Sequence, residues 1–200
     1  YPENILEFFE IKKKLNCYLI EDACHALGAK YYYNKELVKV GSCKHSDIST
    51  FSMHPVKSIT SVEGGLITTN NRNLKKKILL FRSHGIIKGK NHWKYDIDNM
   101  GFNFRLSDIN CALAYSQLKQ INKFINYRKK VSDYYKLKLD SFKNINKIFF
   151  NSLNKPSFHL FLISINFKKK INKNHFLNFL MKNGILGQTH YIPIYKHKIY

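Results

Sequence analysis

Three residues stand where an α/β chain puts reactive groups, at or just past the end of an apolar strand. Asp22 closes the run CYLIED. Ser52 closes DISTFS, and Lys57 follows five residues later, in a loop held by Pro55. A carboxylate, a hydroxyl and an amine in that order match three needs of a pyridoxal phosphate site. The amine bonds the cofactor aldehyde as a Schiff base. The carboxylate keeps the pyridine nitrogen protonated, so that the ring can take up carbanion electrons. The hydroxyl holds the phosphate. A partly desolvated lysine beside a protonated pyridine gives up its proton more easily than one in water. Position alone leaves plainer readings open. An aspartate after a strand also serves as a cap or turn residue, and Lys57 is one of 30 lysines.

These side chains need a scaffold, and the hydrophobic pattern supplies one. Residues 5–15 read as the end of a surface helix with Ile5, Phe8 and Phe9 on one side. CYLIED (17–22), DISTFS (47–52) and GLITTN (65–70) read as strands, the last introduced by the Gly64-Gly65 turn. A loop or short helix is expected between the first two. Asn73 is a candidate cap for the helix NLKKKILLFR, with Leu74, Ile78 and Phe81 as its apolar face. A loop is expected over 85–100. Ser107 then caps a helix carrying Ile109, Leu113 and Leu118 to one side, and a long helix covers roughly 121–140. Beyond it, IFF (148–150) and HLFLISI (159–165) read as strands beside the helix KNHFLNFLMKNG, with Gly184 as its C′ residue. Early alternation of strands and helices implies a mostly parallel sheet covered by helices.

Composition narrows the function classes. The formal net charge of +21 suggests a nucleic-acid or anionic partner, but the cations are lysines scattered in short groups, with only four arginines. With 21 asparagines beside them, this pattern is that of an AT-rich coding bias, and no nucleic-acid partner is expected. The apolar runs are strand length, so no membrane-spanning helix is expected. The start YPENILEFFEIKKKLN has acidic residues and no apolar leader core, which points to a cytoplasmic location and to an excerpt of a longer protein. Cys17, Cys24, Cys43 and Cys111 contain no CxxC pair and read as reduced thiols, with no standard zinc spacing.

The segments EDACHALGAKY, VGSCKHSDISTFSMHPVKSITSVEGGLITTN, LFRSHG and GFNFRLSDINCALAYSQLK occur in that order. They resemble the DegT/DnrJ/EryC1/StrS family of sugar aminotransferases, most strongly over roughly residues 17–140, and the tail HYIPIYKHKIY is similar too. EDACHALGA, SMHPVKSIT, FRSHGI and GILGQTHYIPIY most resemble the members that serve pseudaminic acid synthesis. The resemblance implies an α/β, fold-type I pyridoxal phosphate-dependent transferase. Residues 1–143 would be the C-terminal part of its large cofactor-binding domain with a linking helix, and 144–200 the start of a small α+β domain. It implies transfer of an amino group from an amino acid, L-glutamate, to the 4-keto carbon of a nucleotide-linked deoxysugar, in a homodimer with shared sites.

By that resemblance Lys57 is the Schiff-base lysine and proton shuttle, and Asp22 pairs with the pyridine nitrogen. His25 lies on the ring's oxygen side, and Ser52 binds the phosphate. Asn103 reaches the phosphate in the partner subunit's site, and Arg105 supports that loop. His84, His190, Tyr191 and Arg105 are candidates for the sugar-nucleotide pocket. Plainer roles stand beside these: His25 as a turn cap, Ser52 bonded to its own strand end, Arg105 in an ion pair, His84 on a loop carbonyl. Family members are longer. The phosphate-binding threonine turn and the aromatic ring on the cofactor lie outside this sequence, so the chain alone is expected to be inactive. The alternatives are an aminotransferase for another nucleotide sugar, a related dehydratase, or a non-catalytic basic binding protein on the same fold. Lys57 argues against the dehydratase branch, whose members carry histidine there.

Overall fold

The computed structural model describes residues 4–91, 93–147, 153–167 and 172–200. Contacts group the chain into two units, each described by itself: Tyr1–Lys138 with Phe149–Phe161, and Leu139–Ile148 with Leu162–Tyr200.

The first unit begins with helix α1 (Ile5–Leu15), ended by Asn16 in the left-handed region. Strand β1 (Ile20–Asp22) follows, shorter than the expected 17–22. The expected loop or short helix after it contains a hairpin, β2 (Lys30–Tyr33) and β3 (Glu36–Lys39). Asn34 and Lys35 both have positive φ, the geometry of a two-residue turn that matches strand twist. The signal was weak because lysine replaces the usual glycine. Tyr31 pairs with Val38, and both are buried in a core with Ile5, Ala23, Ala29, Val40 and Phe51.

Strand β4 (Ile48–Ser52) lies between β1 and β5 (Gly65–Thr68). It runs parallel to β1 and antiparallel to β5. The sheet is therefore mixed, where a mostly parallel one was expected. The loop after β4 reverses the chain directly, so β5 returns beside it. Ser49 on β4 is fully buried, and its hydroxyl donates to Glu21 Oε2 at 2.6 Å, so the buried polar group is satisfied. Lys12 of α1 holds Asp47, just before β4, at 2.8 Å.

Helix α2 (Arg72–Arg82) is capped by Asn71, whose side chain accepts from the amides of Asn73 and Leu74. The cap thus falls two residues before the expected Asn73, and Phe81 of the predicted apolar face is exposed. The expected loop over 85–100 carries a short hairpin, β6 (Ile86–Lys88) with β7 (Tyr95–Ile97). Ser107 caps α3 (Asp108–Leu118) as its position suggests, although Ile109 points outward and is 82% exposed. Helix α4 (Ile121–Leu139) follows.

The second unit pairs β8 (Ile145–Lys147) with β9 (Ile163–Ile165) and adds α5 (Lys173–Lys182). Only the last part of HLFLISI forms the strand. The expected strand IFF at 148–150 lies outside the described residues. Gly184 has φ +77° just past α5, the left-handed C′ position its sequence predicts. Among the described residues no helix is long and apolar enough to cross a membrane.

Candidate active site

Because β1 and β4 are parallel, their carboxyl ends point the same way. Asp22 pairs with Thr50, and the Ala23 amide donates to the Thr50 carbonyl at 2.9 Å. Asp22 and Ser52 therefore emerge at one edge of the sheet, as strand-end logic requires.

The chain between Ser52 and Gly65 forms a closed loop. At its neck the Met53 amide donates to Gly64 O at 3.0 Å, while Met53 O accepts from the Ser61 amide at 2.9 Å and from Thr60 Oγ1 at 3.0 Å. Gly64 has φ +146°, and a side chain there would press on Ser61 Oγ at 2.7 Å and Leu106 at 2.9 Å. Lys57 sits on this loop, half-buried, with its amide bonded to His54 O at 2.9 Å. The next two residues, Ser58 and Ile59, are buried. Ile59 joins Met53 and Ala114 in a second core, against which Leu106, Ile121 and Phe124 pack. Apolar anchorage and neck bonds thus fix the loop that carries the lysine.

Electrostatics ties the strand-end residues together. Asp22 is held below the usual carboxylate range, first by a hydrogen bond from the Cys24 side chain and next by the Cys24 amide, at 3.1 Å from Oδ1. The nearby charges of His25 and Lys57 add to this, and partial burial works against it. The Cys24 thiol is pushed up by burial and then by its bond to Asp22 and that carboxylate's charge. Lys57 and a bond with the Ser52 backbone oppose this rise. Asp22, Cys24, His25, Ser52 and Lys57 therefore share one neighbourhood. Cys24, adjacent to the predicted aspartate pairing, is the member that sequence reasoning left out. Its only signal was its position two residues after Asp22.

His25 is exposed, with its ring centroid 4.6 Å from that of His159 and its carbonyl accepting from Ser157 Oγ at 2.8 Å. Ser52 Oγ accepts from the His54 amide at 3.4 Å, the local strand-end bond of the plainer reading. A groove of about 730 Å³ runs beside β1, lined among others by Phe8, Leu19, Asp22, Cys24 and His25.

His84, Asn103 and Arg105 belong to a different stretch of the first unit. His84 has φ +62°, and its amide donates to Phe102 O at 3.0 Å. Asn103 pairs with Ser83 in an isolated bridge. Asn103 and Arg105 are both exposed. His190 and Tyr191 lie in the second unit, exposed, with ring centroids 4.4 Å apart. Among the described residues no group of three or more His, Cys, Asp or Glu side chains is arranged to hold a metal ion.

Comparison with known proteins gives this arrangement its setting. The model of the DegT/DnrJ/EryC1/StrS aminotransferase family matches residues 2–200. UDP-4-amino-4,6-dideoxy-N-acetyl-beta-L-altrosamine transaminase of Campylobacter jejuni (strain 81-176) is 39% identical over 194 residues, covering 97% of this chain and 50% of that protein. Helicobacter pylori PseC, described as an aminotransferase involved in the biosynthesis of pseudoaminic acid, has a similar structure. Its TM-score is 0.88 at 34% identity, over 98% of this chain and 51% of PseC. The PLP form of a putative sugar aminotransferase from Streptococcus pneumoniae gives a TM-score of 0.81 at 25% identity, over 95% of this chain and 48% of that one. The chain spans about half the length of the curated relatives it matches. Its fold is that of half a fold-type I pyridoxal phosphate-dependent transferase, and the chain belongs to the DegT/DnrJ/EryC1/StrS aminotransferase family, whose members depend on that cofactor.

Proposed function

We propose that this chain carries the lysine half of an aminotransferase acting on a nucleotide-linked 4-keto deoxysugar. The amino group comes from an amino-acid donor, L-glutamate, as in the formation of UDP-4-amino-4,6-dideoxy-N-acetyl-β-L-altrosamine for pseudaminic acid. The carrying observation is the meeting of a charged Asp22 and Lys57 at the carboxyl edge of the sheet, in a chain of this family.

The donor set fits pyridoxal phosphate. Asp22 stays ionised, as a partner for a protonated pyridine nitrogen must, and the amine of Lys57 lies within its electrostatic reach. When bound, the cofactor supplies an electron sink through which an amino group passes in two half-reactions. The residues of this chain then hold and move protons. Lys57 Nζ would carry the proton between the substrate carbon and the cofactor carbon, away from the amino-acid carbon in the first half-reaction and onto the sugar carbon in the second. Asp22 would hold the charge on the ring nitrogen, His25 would stand on the ring's oxygen side, and Ser52 would donate to the phosphate. Asn103 serves the phosphate of the neighbouring subunit in a homodimer, with Arg105 beside it. His84 is a candidate for the sugar-nucleotide side, and His190 and Tyr191 of the second unit are candidates by the same family resemblance. The working location is the cytoplasm, with no nucleic acid or membrane partner.

The test is chemical. The full-length protein is purified with pyridoxal phosphate and reduced with borohydride, and pyridoxyl peptides are mapped by mass spectrometry. An adduct confined to Lys57 is expected. Adducts spread over many lysines, or none, would sink the mechanism.

A further inference from the structure

We propose that Arg128 and Gln117 are positioning residues for Lys57, tying its loop to helices α3 and α4. Arg128 Nη2 donates to the backbone carbonyl of Lys57 itself at 3.3 Å. Gln117 Oε1 accepts from the amide of Thr60 at 3.0 Å. Between these two ties lie the buried Ser58 and Ile59. The neck bonds at Met53 hold the base of the loop, whereas Arg128 and Gln117 hold the turn that aims the lysine. A backbone rotation of about 10° at Lys57 swings Nζ, roughly 6 Å out on its stem, by about 1 Å. A misplacement of that size costs on the order of a hundredfold in a positioned reaction.

Stability alone does not account for Arg128. Its Nη1 is buried with no hydrogen-bond partner among the described residues, an arrangement that costs free energy. Burial accordingly depresses the guanidinium's pKa. A methionine of similar length would keep the apolar stem and remove the unsatisfied donor, so a purely structural role predicts that Arg128→Met is neutral or stabilising. A positioning role predicts local loosening at the lysine with global stability intact. The two roles are thereby separable.

The proposal rests on Lys57 being the cofactor lysine, so its test has one readout that needs no cofactor. Hydrogen exchange is measured on full-length wild-type protein without pyridoxal phosphate, and on Arg128→Met, Arg128→Lys and Gln117→Met. The rate of pyridoxal phosphate attachment to Lys57 is then followed by borohydride trapping. In Arg128→Met and Gln117→Met the peptide over 54–60 is expected to exchange about tenfold faster, and attachment to slow by about tenfold, while other peptides keep their protection. Arg128→Lys, which keeps a donor within reach of the carbonyl, restores most of both. Should Arg128→Met fail to fold, Gln117→Met carries the test. Unchanged exchange over 54–60 overturns the proposal, as does loosening spread evenly through the first unit. A wild-type protein that forms no adduct at Lys57 overturns the proposed function instead, and the exchange comparison still decides the tie.

Discussion

The loop over 53–64 and the stretch over 83–106 are both irregular, yet they are held in opposite ways. The first buries Met53, Ser58, Ile59 and Ser61, closes its own neck, and takes side-chain bonds from α3 and α4. The second is tied to α2 by backbone bonds and by the rings of Phe102 and Phe104 against Phe81. The amides of Phe102 and Phe104 donate to the carbonyls of Phe81 and Arg82 at 2.7 and 3.0 Å. Gly101 approaches Gly85 so closely that any side chain there would strike its nitrogen. Around Asn103 its side chains are exposed, with Phe102, Phe104, Arg105 and Met100 among them, while Leu106 turns onto the second core. One stretch aims a residue at a site built by its own unit. The other presents exposed side chains, as the proposed role in a neighbouring subunit's site would need. Burial needs many interlocking side chains, whereas presentation needs a stiff backbone and few of them.

The largest expected effect would break this comparison outright. Lys57→Ala and Asn103→Ala full-length proteins, each assayed alone, should be inactive and strongly impaired, respectively. Co-expressed, they form mixed dimers in which one shared site combines native Lys57 with native Asn103. Tagged mixed dimers should recover about half of wild-type activity, because one of two sites is whole. Recovery no greater than that of the Asn103→Ala protein would place both residues in one subunit's site.

A smaller effect sharpens the description of the inner cluster. Asp22→Asn keeps the shape and removes the charge, and should lower kcat by about a hundredfold or more, the scale for losing one aimed electrostatic group. It also removes the carboxylate charge that helps raise the Cys24 thiol and weakens the bond between them, leaving burial as the main cause. Cys24 should then react with iodoacetamide at lower pH than in the wild type, a readout that needs no substrate. An unchanged labelling profile would separate Cys24 from Asp22.

Much of this was legible in the sequence, and the exceptions have physical causes. The strand-end positions of Asp22 and Ser52 could be read because short apolar runs close there, whereas Lys57 was singled out from 30 lysines only by the family motif around it. The helices were readable from their period. The β2–β3 hairpin was not, because its turn is Asn34-Lys35, without the glycine that marks positive φ. The cap of α2 moved from Asn73 to Asn71 because several asparagines stand together and any of them can accept an amide bond. The partnership of Arg128 with Lys57 joins residues 71 positions apart, and no local pattern encodes it. Nor did periodicity show that Ile109 faces outward, since an apolar residue destined for another surface looks like one destined for the core.

The smallest expected effect concerns acid and the pinned half. His45 is buried, with Nδ1 2.6 Å from the Tyr31 hydroxyl and its ring set edgewise against Phe9 and Tyr33. Burial depresses its pKa below the ordinary histidine value of 6.5, and the positive charges of Lys44 and Lys13 add to this. In the window between the folded value and 6.5 the unfolded chain binds a proton that the folded one refuses. Stability due to neutral His45 is therefore complete above 6.5 and falls as pH drops through that window. His45→Gln keeps a polar partner for Tyr31 and cannot titrate. In urea melts from about pH 7.5 to about 5.5, the wild-type midpoint should fall while that of His45→Gln stays level. Asp47, held by Lys12 and the Leu19 amide below the ordinary carboxylate value despite burial, adds a loss common to both proteins only at more acid pH. Hydrogen exchange across the same range should locate the early loosening in β2, β3 and α1, the elements packed around His45. Parallel falls in the two melts would instead remove His45 as the cause and leave the carboxylates to explain the acid sensitivity.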